Sequence, residues 1–390
     1  MSETSTVGRR PVWRVAMVGR DPGEGHRAAT PLELLFDLCF VVAVAQAAAS
    51  LHHALAENHI GAGIAGYAMV FFAVWWAWMN FTWFASAYDT DDVLYRLLAL
   101  VQIGGVLVLA AGVPRAFETQ DFGLVTLGYV VMRLAMVALW LRAAREDPAR
   151  GRIAYRYAAG ITVVQAGWVA RQALGESVGP VAFVVLVAAE LAVPLWAERS
   201  LATTWHSSHI AERYGLLTII VLGESILSAT IAVQAGLDGD ATTGAMLTVA
   251  LSGLVIVFSM WWLYFAHPAE GILTSNRVSF PWGYGHYLIF ASAAAVGAGL
   301  AVSVDHVSGK AHLGGTAAAA SLSVPVAVFV LSLWLVHVRP HRPGPLVTTT
   351  FAAAPLLVLA APFTPFPLPA TALVMAVLTV MCGRGTARTP

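Results

Sequence analysis

Residues 62–92 read AGIAGYAMVFFAVWWAWMNFTWFASAYDTDD. No Asp, Glu, Lys or Arg interrupts the stretch from Ala62 to Tyr88, which exceeds the about 20 apolar residues needed to cross a bilayer core. Three aspartates, Asp89, Asp91 and Asp92, then fall within four positions. A run this apolar that stops at a charged cluster is a transmembrane helix meeting an interface, and working outward from it fixes the class of the whole chain.

Of the 390 residues, 58% are hydrophobic and 11% charged, and the mean hydropathy is +0.72. That balance places the chain among polytopic membrane proteins. Apolar segments of spanning length lie near 32–52, 62–85, 94–113, 123–142, 155–174, 179–197, 214–235, 244–266, 284–304, 317–337, 345–362 and 367–382. The expected fold is an all-α bundle of about 12 transmembrane helices. The last two segments are short and joined by PFTPFP, which also suits a helical hairpin or a re-entrant piece. Three regions follow: a polar, Arg-rich tail over 1–30, a first half over 31–200 and a second half over 201–390.

Cytoplasmic loops of membrane proteins carry an excess of Arg and Lys. Placing the tail in the cytoplasm puts Arg9, Arg10, Arg14, Arg20, Arg27, Arg142, Arg145, Arg150, Arg152, Arg156, Arg339, Arg342, Arg384 and Arg388 on that side. Only Arg115, Arg171 and Lys310 fall on the other. Both termini are therefore expected in the cytoplasm of a bacterial inner membrane. The tail lacks an apolar stretch of signal-peptide length and is read as retained. Cys39 and Cys382 are the only cysteines, so neither a disulfide framework nor a thiolate cluster is expected. Short similarities between TWFASAYDTDD and LYFAHPAEGIL, and between YRLLALVQ and YGHYLIFAS, suggest a 6+6 parallel repeat of the kind transporters use.

Ionisable groups inside spans usually face a bundle interior or a wet cavity. Here they are Glu33, Asp37, Arg133, Glu190 and Glu224, with His267 and His286 at the ends of the segments that bound one loop. Glu33 and Asp37 are four apart and share a helix face, where like charges favour keeping a proton on one of them. The plainer reading makes Glu33 a helix-start carboxylate and Arg133 a partner for an acid. The aspartate cluster has a plain reading too: Asp at a cap, and Asp92–Arg96 as an i,i+4 pair.

The segments TPLELLFDLCFVVAVAQ (Thr30–Gln46), NFTWFASAYDTDDVLYRLLALVQ (Asn80–Gln102), GYVVMRLAMV (Gly128–Val137), HIAERYGLLTIIVLGESI (His209–Ile226) and WGYGHYLIFASAAAVGAG (Trp282–Gly299) together resemble the bacterial low-temperature-requirement A family. The resemblance implies a polytopic inner-membrane protein. It places Glu33, Asp37, Arg96, Arg133, Glu212, Arg213, Gly223 and Glu224 at the family's polar signature.

Two mechanisms suit these residues. In the first, D-x-D-D is similar to the acid motif of class II terpene cyclases. Asp91 protonates an alkene or epoxide of a hydrophobic, isoprenoid-like substrate, and Asp89 and Asp92 orient its proton. Trp75, Trp76, Trp78, Trp83 and Tyr88, joined by Trp261 and Trp262, offer π-faces to migrating positive charge. Arg96, Arg142 and Arg145 meet a diphosphate, while Arg133, Glu212, Arg213, His267 and His286 complete a polar lining. No cofactor or metal is required, although a diphosphate would bring Mg²⁺. In the second, Glu33, Asp37 and Glu224 relay a proton or cation through a transporter or channel, with Gly223 loosening the helix beside Glu224. The expected partners are the lipid bilayer and the small molecule or ion. The short, membrane-adjacent Arg clusters give no reason to expect nucleic acid.

Overall fold

A computed structural model describes residues 12–25, 27–173, 179–237 and 242–386. Arg9, Arg10 and Arg388 lie outside the described residues. Twelve α-helices occur among the described residues: α1 (Pro31–Ala56), α2 (Ile60–Tyr88), α3 (Val93–Glu118), α4 (Gly123–Glu146), α5 (Gly151–Arg171), α6 (Gly179–Ala197), α7 (Ser207–Leu237), α8 (Thr243–Phe265), α9 (Asn276–Val307), α10 (Gly315–Leu333), α11 (Pro345–Ala360) and α12 (Pro367–Thr386). No strand occurs among the described residues. Each of the twelve expected apolar segments coincides with one helix.

Ten of the helices are long and apolar enough to cross a membrane. The two that fall short are α5, which carries Arg152, Arg156 and Arg171, and α12, whose apolar part is short. The last two helices are joined through a 3-10 turn at Ala361–Phe363.

Helix ends follow local chemistry. Thr30 caps α1 in a capping box with Glu33, and Pro31 occupies the first turn, where its missing N–H costs nothing. Asp92 caps α3 by accepting from Tyr95 N at 2.9 Å. The D-x-D-D run is therefore the α2–α3 turn: Asp89 follows the last residue of α2, Asp92 opens α3, and Asp91 between them takes the left-handed region at φ 48°.

Across these ends lies an extended N-terminal strap. Val12 O accepts from Val93 N, Val15 N donates to Asp92, Met17 N to Glu146, Gly19 N to Asp147, and Arg20 N to Ala87 O. The strap thus satisfies an orphan carbonyl at the end of α2 and an orphan N–H at the start of α3, and it binds the carboxylates at the end of α4.

In the first set of six, α1 packs on α2 and α3, α3 on α4, α4 on α5, and α5 on α6. The same neighbour order recurs in the second set, from α7 with α8 and α9 through α11 with α12. The second set adds a close packing of α8 on α12. They meet where α1 and α2 lie against α7 and α9. The tightest crossings use small residues: a Cβ at Gly128 would overlap the Gly105 carbonyl oxygen across α3 and α4, and one at Gly299 would overlap Ser321 O across α9 and α10. The aromatic helix α2 is the most central element of the first set, with Trp75, Trp76, Trp78, Phe81, Phe84 and Tyr88 all buried.

Candidate functional site

At the seam between the sets, α1 presents Glu33 and Asp37 one turn apart, and α7 presents His209 and Arg213 with the same spacing. All four side chains are 0% exposed. Arg213 grips Asp37 with Nε at 3.0 Å and Nη2 at 2.5 Å, and Trp78 Nε1 donates to the same carboxylate at 2.7 Å. Glu33 accepts from Thr30 N at 2.8 Å and from Thr30 Oγ1 at 3.0 Å. His209 Nε2 and Arg213 Nη1 each stand 3.1 Å from Glu33 Oε1, but off the direction a hydrogen bond requires. The centre is therefore charge-paired yet incompletely bonded, with both His209 ring nitrogens lacking a hydrogen-bond partner.

Arg27 extends the cluster to the strap end, reaching Asp89 at 2.7 Å, Ala85 O at 3.2 Å and Glu33 at 3.4 Å. Asp89 lies past the end of the α2 span. Burial pushes its carboxyl up to about 6, against the pull of the Arg27 guanidinium. Glu212 accepts from Ala29 N at 3.2 Å and leaves its second oxygen unpartnered. Three carboxylates, Glu33, Asp37 and Asp89, thus share two guanidiniums, Arg27 and Arg213, with His209 as the titratable remainder and Glu212 at the rim.

The remaining candidates are placed elsewhere. Asp91 is half exposed and holds Arg96 through both nitrogens, at 2.8 and 2.7 Å. The i,i+4 pair expected between Asp92 and Arg96 is not formed, because Asp92 turns inward to cap α3 and bind Arg142. Asp92 is likewise pushed up by burial, but hydrogen bonds from Arg142, Val15 N and Tyr95 N prevail and hold it below the usual carboxylate range. Arg142 is committed to Asp92, Glu146 and Val15 O, whereas Arg145 is exposed and turns to Leu141 O. The three aspartates of the motif diverge to three different arginines and do not converge on one point.

Arg133 forms a second buried centre with Glu190, which α6 carries into the first set. Glu190 accepts from Trp76 Nε1 (2.8 Å), Tyr129 Oη (2.7 Å), Arg133 Nη2 (2.9 Å), Gln165 Nε2 (3.1 Å) and Trp168 Nε1 (3.3 Å). Such a fully coordinated acid ties α2, α4, α5 and α6 together.

His286 is satisfied by Trp282 O and Tyr264 Oη, and His337 by Trp282 Nε1 and His267 O. His267 and His341 lie beside them with ring centroids 5.4 Å apart. Trp261 and Trp262 are about half exposed on the outside of α8 and join no aromatic lining. Glu224 is half-buried and bonds only Ser228 Oγ, away from Glu33 and Asp37. Gly223 sits in an unbroken helix with open space around it, so it neither loosens α7 nor permits a close contact. Among the described residues, no group of three His, Cys, Asp or Glu is placed to hold a metal ion.

Of the expected indoles, Trp75 stacks edge-on against Tyr284 and Tyr287, Trp76 serves Glu190, Trp78 serves Asp37, and Tyr88 donates to Asp147. Only Trp83 reaches a cleft. That cleft is narrow, with about 30 Å³ of space, and lies among α2, α4, α5, α6 and α9, lined by Asn80, Trp83, Trp140, Tyr157, Glu198 and Tyr284, among others.

Arg27, His209 and Glu198 are absent from the candidates read in the sequence. His209 had a signal: H-x-x-x-R in HIAER matches the spacing of E-x-x-x-D in α1. Glu198 had none, since its role depends on Tyr157 and Asn276 folding against it.

Comparison with known proteins identifies the family. The model of the bacterial low temperature requirement A protein (LtrA) matches residues 28–382. An uncharacterized protein of Rhizobium meliloti (strain 1021) is 31% identical over 243 residues, which make up 60% of this chain and 57% of that relative. The chain thus spans little more than half the length of that relative. With the family model reaching from before α1 into α12, the chain belongs to the bacterial low temperature requirement A family.

Proposed function

We propose that the protein is a proton-coupled carrier whose coupling site is the Glu33–Asp37–His209–Arg213 cluster. The observation behind this reading is that all four side chains are wholly buried at the seam between the two helix sets. A buried ion pair is weak support for stability, because desolvation offsets the Coulomb gain. A cluster with more carboxylate than guanidinium has a use for a mobile proton, and His209 beside Glu33 can take one or release it. Both matching pairs, Glu33–His209 and Asp37–Arg213, are 176 positions apart. That is the relation expected of a parallel 6+6 repeat whose equivalent helices meet on its axis. Protonating Glu33 would weaken its hold on Arg27 and Arg213 while Asp37 keeps Arg213, giving the seam two pairing states for a rocking motion. The carrier would sit in the inner membrane with the strap in the cytoplasm, following the Arg excess at that end.

In proteoliposomes this reading expects a proton-linked flux that Glu33→Gln abolishes and Asp91→Asn leaves intact. Equal flux in Glu33→Gln would end it.

A second reading, acid-initiated cyclisation of an isoprenoid, is favoured by the aromatic cleft alone. Asp91 pairs with Arg96 and does not line that cleft, so the acid would have to be Glu198. A cyclised isomer formed from polyprenyl diphosphates or their epoxides, lost in Glu198→Gln and retained in Asp91→Asn, would select it.

A further inference from the structure

Where α4 ends, α5 begins and α6 ends, an open-sided groove offers about 540 Å³ of space. That falls within the roughly 300–1,000 Å³ typical of small-molecule sites. Small apolar residues line part of it, Ala144 from α4 and Ala159 from α5, and the rest includes Arg152, Tyr155 and Arg156 from α5 and Trp196 from α6. Arg152 and Arg156 are four apart and share a helix face. The Arg156 guanidinium lies 6.0 Å from the Trp196 ring centre and donates to Ala197 O at 3.3 Å and Ser200 Oγ at 3.1 Å. Arg152 is exposed.

Neither guanidinium has a carboxylate. At the same end of the bundle Arg14, Arg20, Arg27, Arg96, Arg142 and Arg150 each pair with an acid. Among the described residues Arg152 and Arg156 form no such pair. The acids nearest them in sequence are used elsewhere: Glu146 by Arg14 and Arg142, Asp147 by Arg150 and Tyr88, and Glu198 by Tyr157, Asn276 and Thr203. The groove thus carries two uncompensated positive charges and no acid in its lining.

Two features favour a lipid over a free anion. Tyr155 and Trp196 are 49% and 42% exposed, and amphipathic rings left open beside arginines suit the headgroup level of a bilayer. The α5 stripe holding Arg152 and Arg156 also continues through Ala159 to Val163, which is 71% exposed. An acyl chain leaving the groove therefore has an apolar track to follow.

We infer that this groove binds an anionic phospholipid, with its phosphodiester held by Arg152 and Arg156 and an acyl chain laid along Ala159 and Val163. The planar, forked donors of arginine match phosphate oxygens, and basic pockets between transmembrane helices are suited to such headgroups. The Arg excess at this end assigns the lipid to the cytoplasmic leaflet. The inference does not rest on the carrier reading.

The test is native mass spectrometry of the full chain in detergent, incubated with equimolar phosphatidylglycerol and phosphatidylcholine of identical acyl chains. At least fivefold more phosphatidylglycerol adduct is expected. Arg152→Gln should cut that preference several-fold, and adding Arg156→Gln should bring it near parity. Arg152 is exposed, so its single variant serves if the double variant does not fold. Lys310→Gln, at the opposite end of the bundle, should leave the preference unchanged. Equal retention of the two lipids overturns the inference, as does a wild-type preference in Arg152→Gln. Displacement of the phosphatidylglycerol by millimolar inorganic phosphate would make this a free-anion site and overturn the lipid assignment.

Discussion

Asp37 and Arg213, from the first helix of each six-helix set, form a two-pronged ion pair with neither side chain reaching solvent. Removing one partner leaves the other buried and uncompensated, which costs about 3–5 kcal/mol. Arg213→Met should therefore lower the melting temperature in detergent sharply, and Asp37→Leu should do the same. The double substitution should recover much of the loss, because two apolar side chains need no desolvation. A double mutant no more stable than either single would mean that the wider network, including Trp78 and Glu33, is what breaks.

The α2–α3 turn holds two carboxylates with opposite pH behaviour. Asp89 is raised to about 6 by burial. Between its ordinary value near 4 and about 6 the folded state binds the extra proton, so its contribution to stability falls as pH rises through that window. The amplitude is on the order of 2–3 kcal/mol. Asp92 is lowered, so its contribution is present above the ordinary carboxylate range and is lost as pH falls through its folded value. Chemical denaturation between pH 4.5 and 7.5 should show a decline toward neutrality that Asp89→Asn flattens. Asp92→Asn should instead lower stability throughout that range.

Asp91 is the position at which the cyclase and carrier readings part. Its backbone occupies the left-handed region at φ 48°, where a side chain other than Gly is strained. Its carboxylate is half exposed on Arg96, a pairing of a kind that contributes little. Asp91→Gly should thus be neutral or stabilising by up to about 1 kcal/mol. It should also leave proton-linked flux at the wild-type level. A large loss of flux would restore this carboxyl to the working site.

The helices were legible because a bilayer demands long apolar runs, and each of the twelve runs became a helix. Glu33 and Asp37 were legible as a pair for the same reason, since charge inside a span is costly enough to stand out. Partner choice was not legible. Arg142 rather than Arg96 serves Asp92, because the strap and the cap geometry turn that carboxylate inward. The indoles of α2 could be counted but not assigned, since 3.6-residue periodicity spreads them round the helix. Only the packing of α6, α1 and α9 sends Trp76 to Glu190, Trp78 to Asp37 and Trp83 to the cleft. The left-handed turn at Asp91, which leaves the motif's middle acid half exposed on Arg96, has no signature in D-x-D-D itself.

Glu190 supplies a last test, of the division of labour between the two buried centres. Its five donors come from α2, α4 and α5, and Arg133 keeps Nε and Nη1 unbonded even with Glu190 in place. If this centre is structural and the α1–α7 cluster is the working one, their neutralised variants should fail differently. Glu190→Gln removes the counter-charge of a buried Arg133 and should cost about 3–5 kcal/mol, seen as a lower melting temperature. In the fraction that stays folded, flux per folded molecule should be near wild type. Glu33→Gln keeps most of its local bonds through Thr30 and should melt within a few degrees of wild type while losing flux. Measuring folded yield and flux on the same proteoliposomes separates the cases, and a Glu190→Gln protein that is well folded but inactive would move the coupling site into the first helix set.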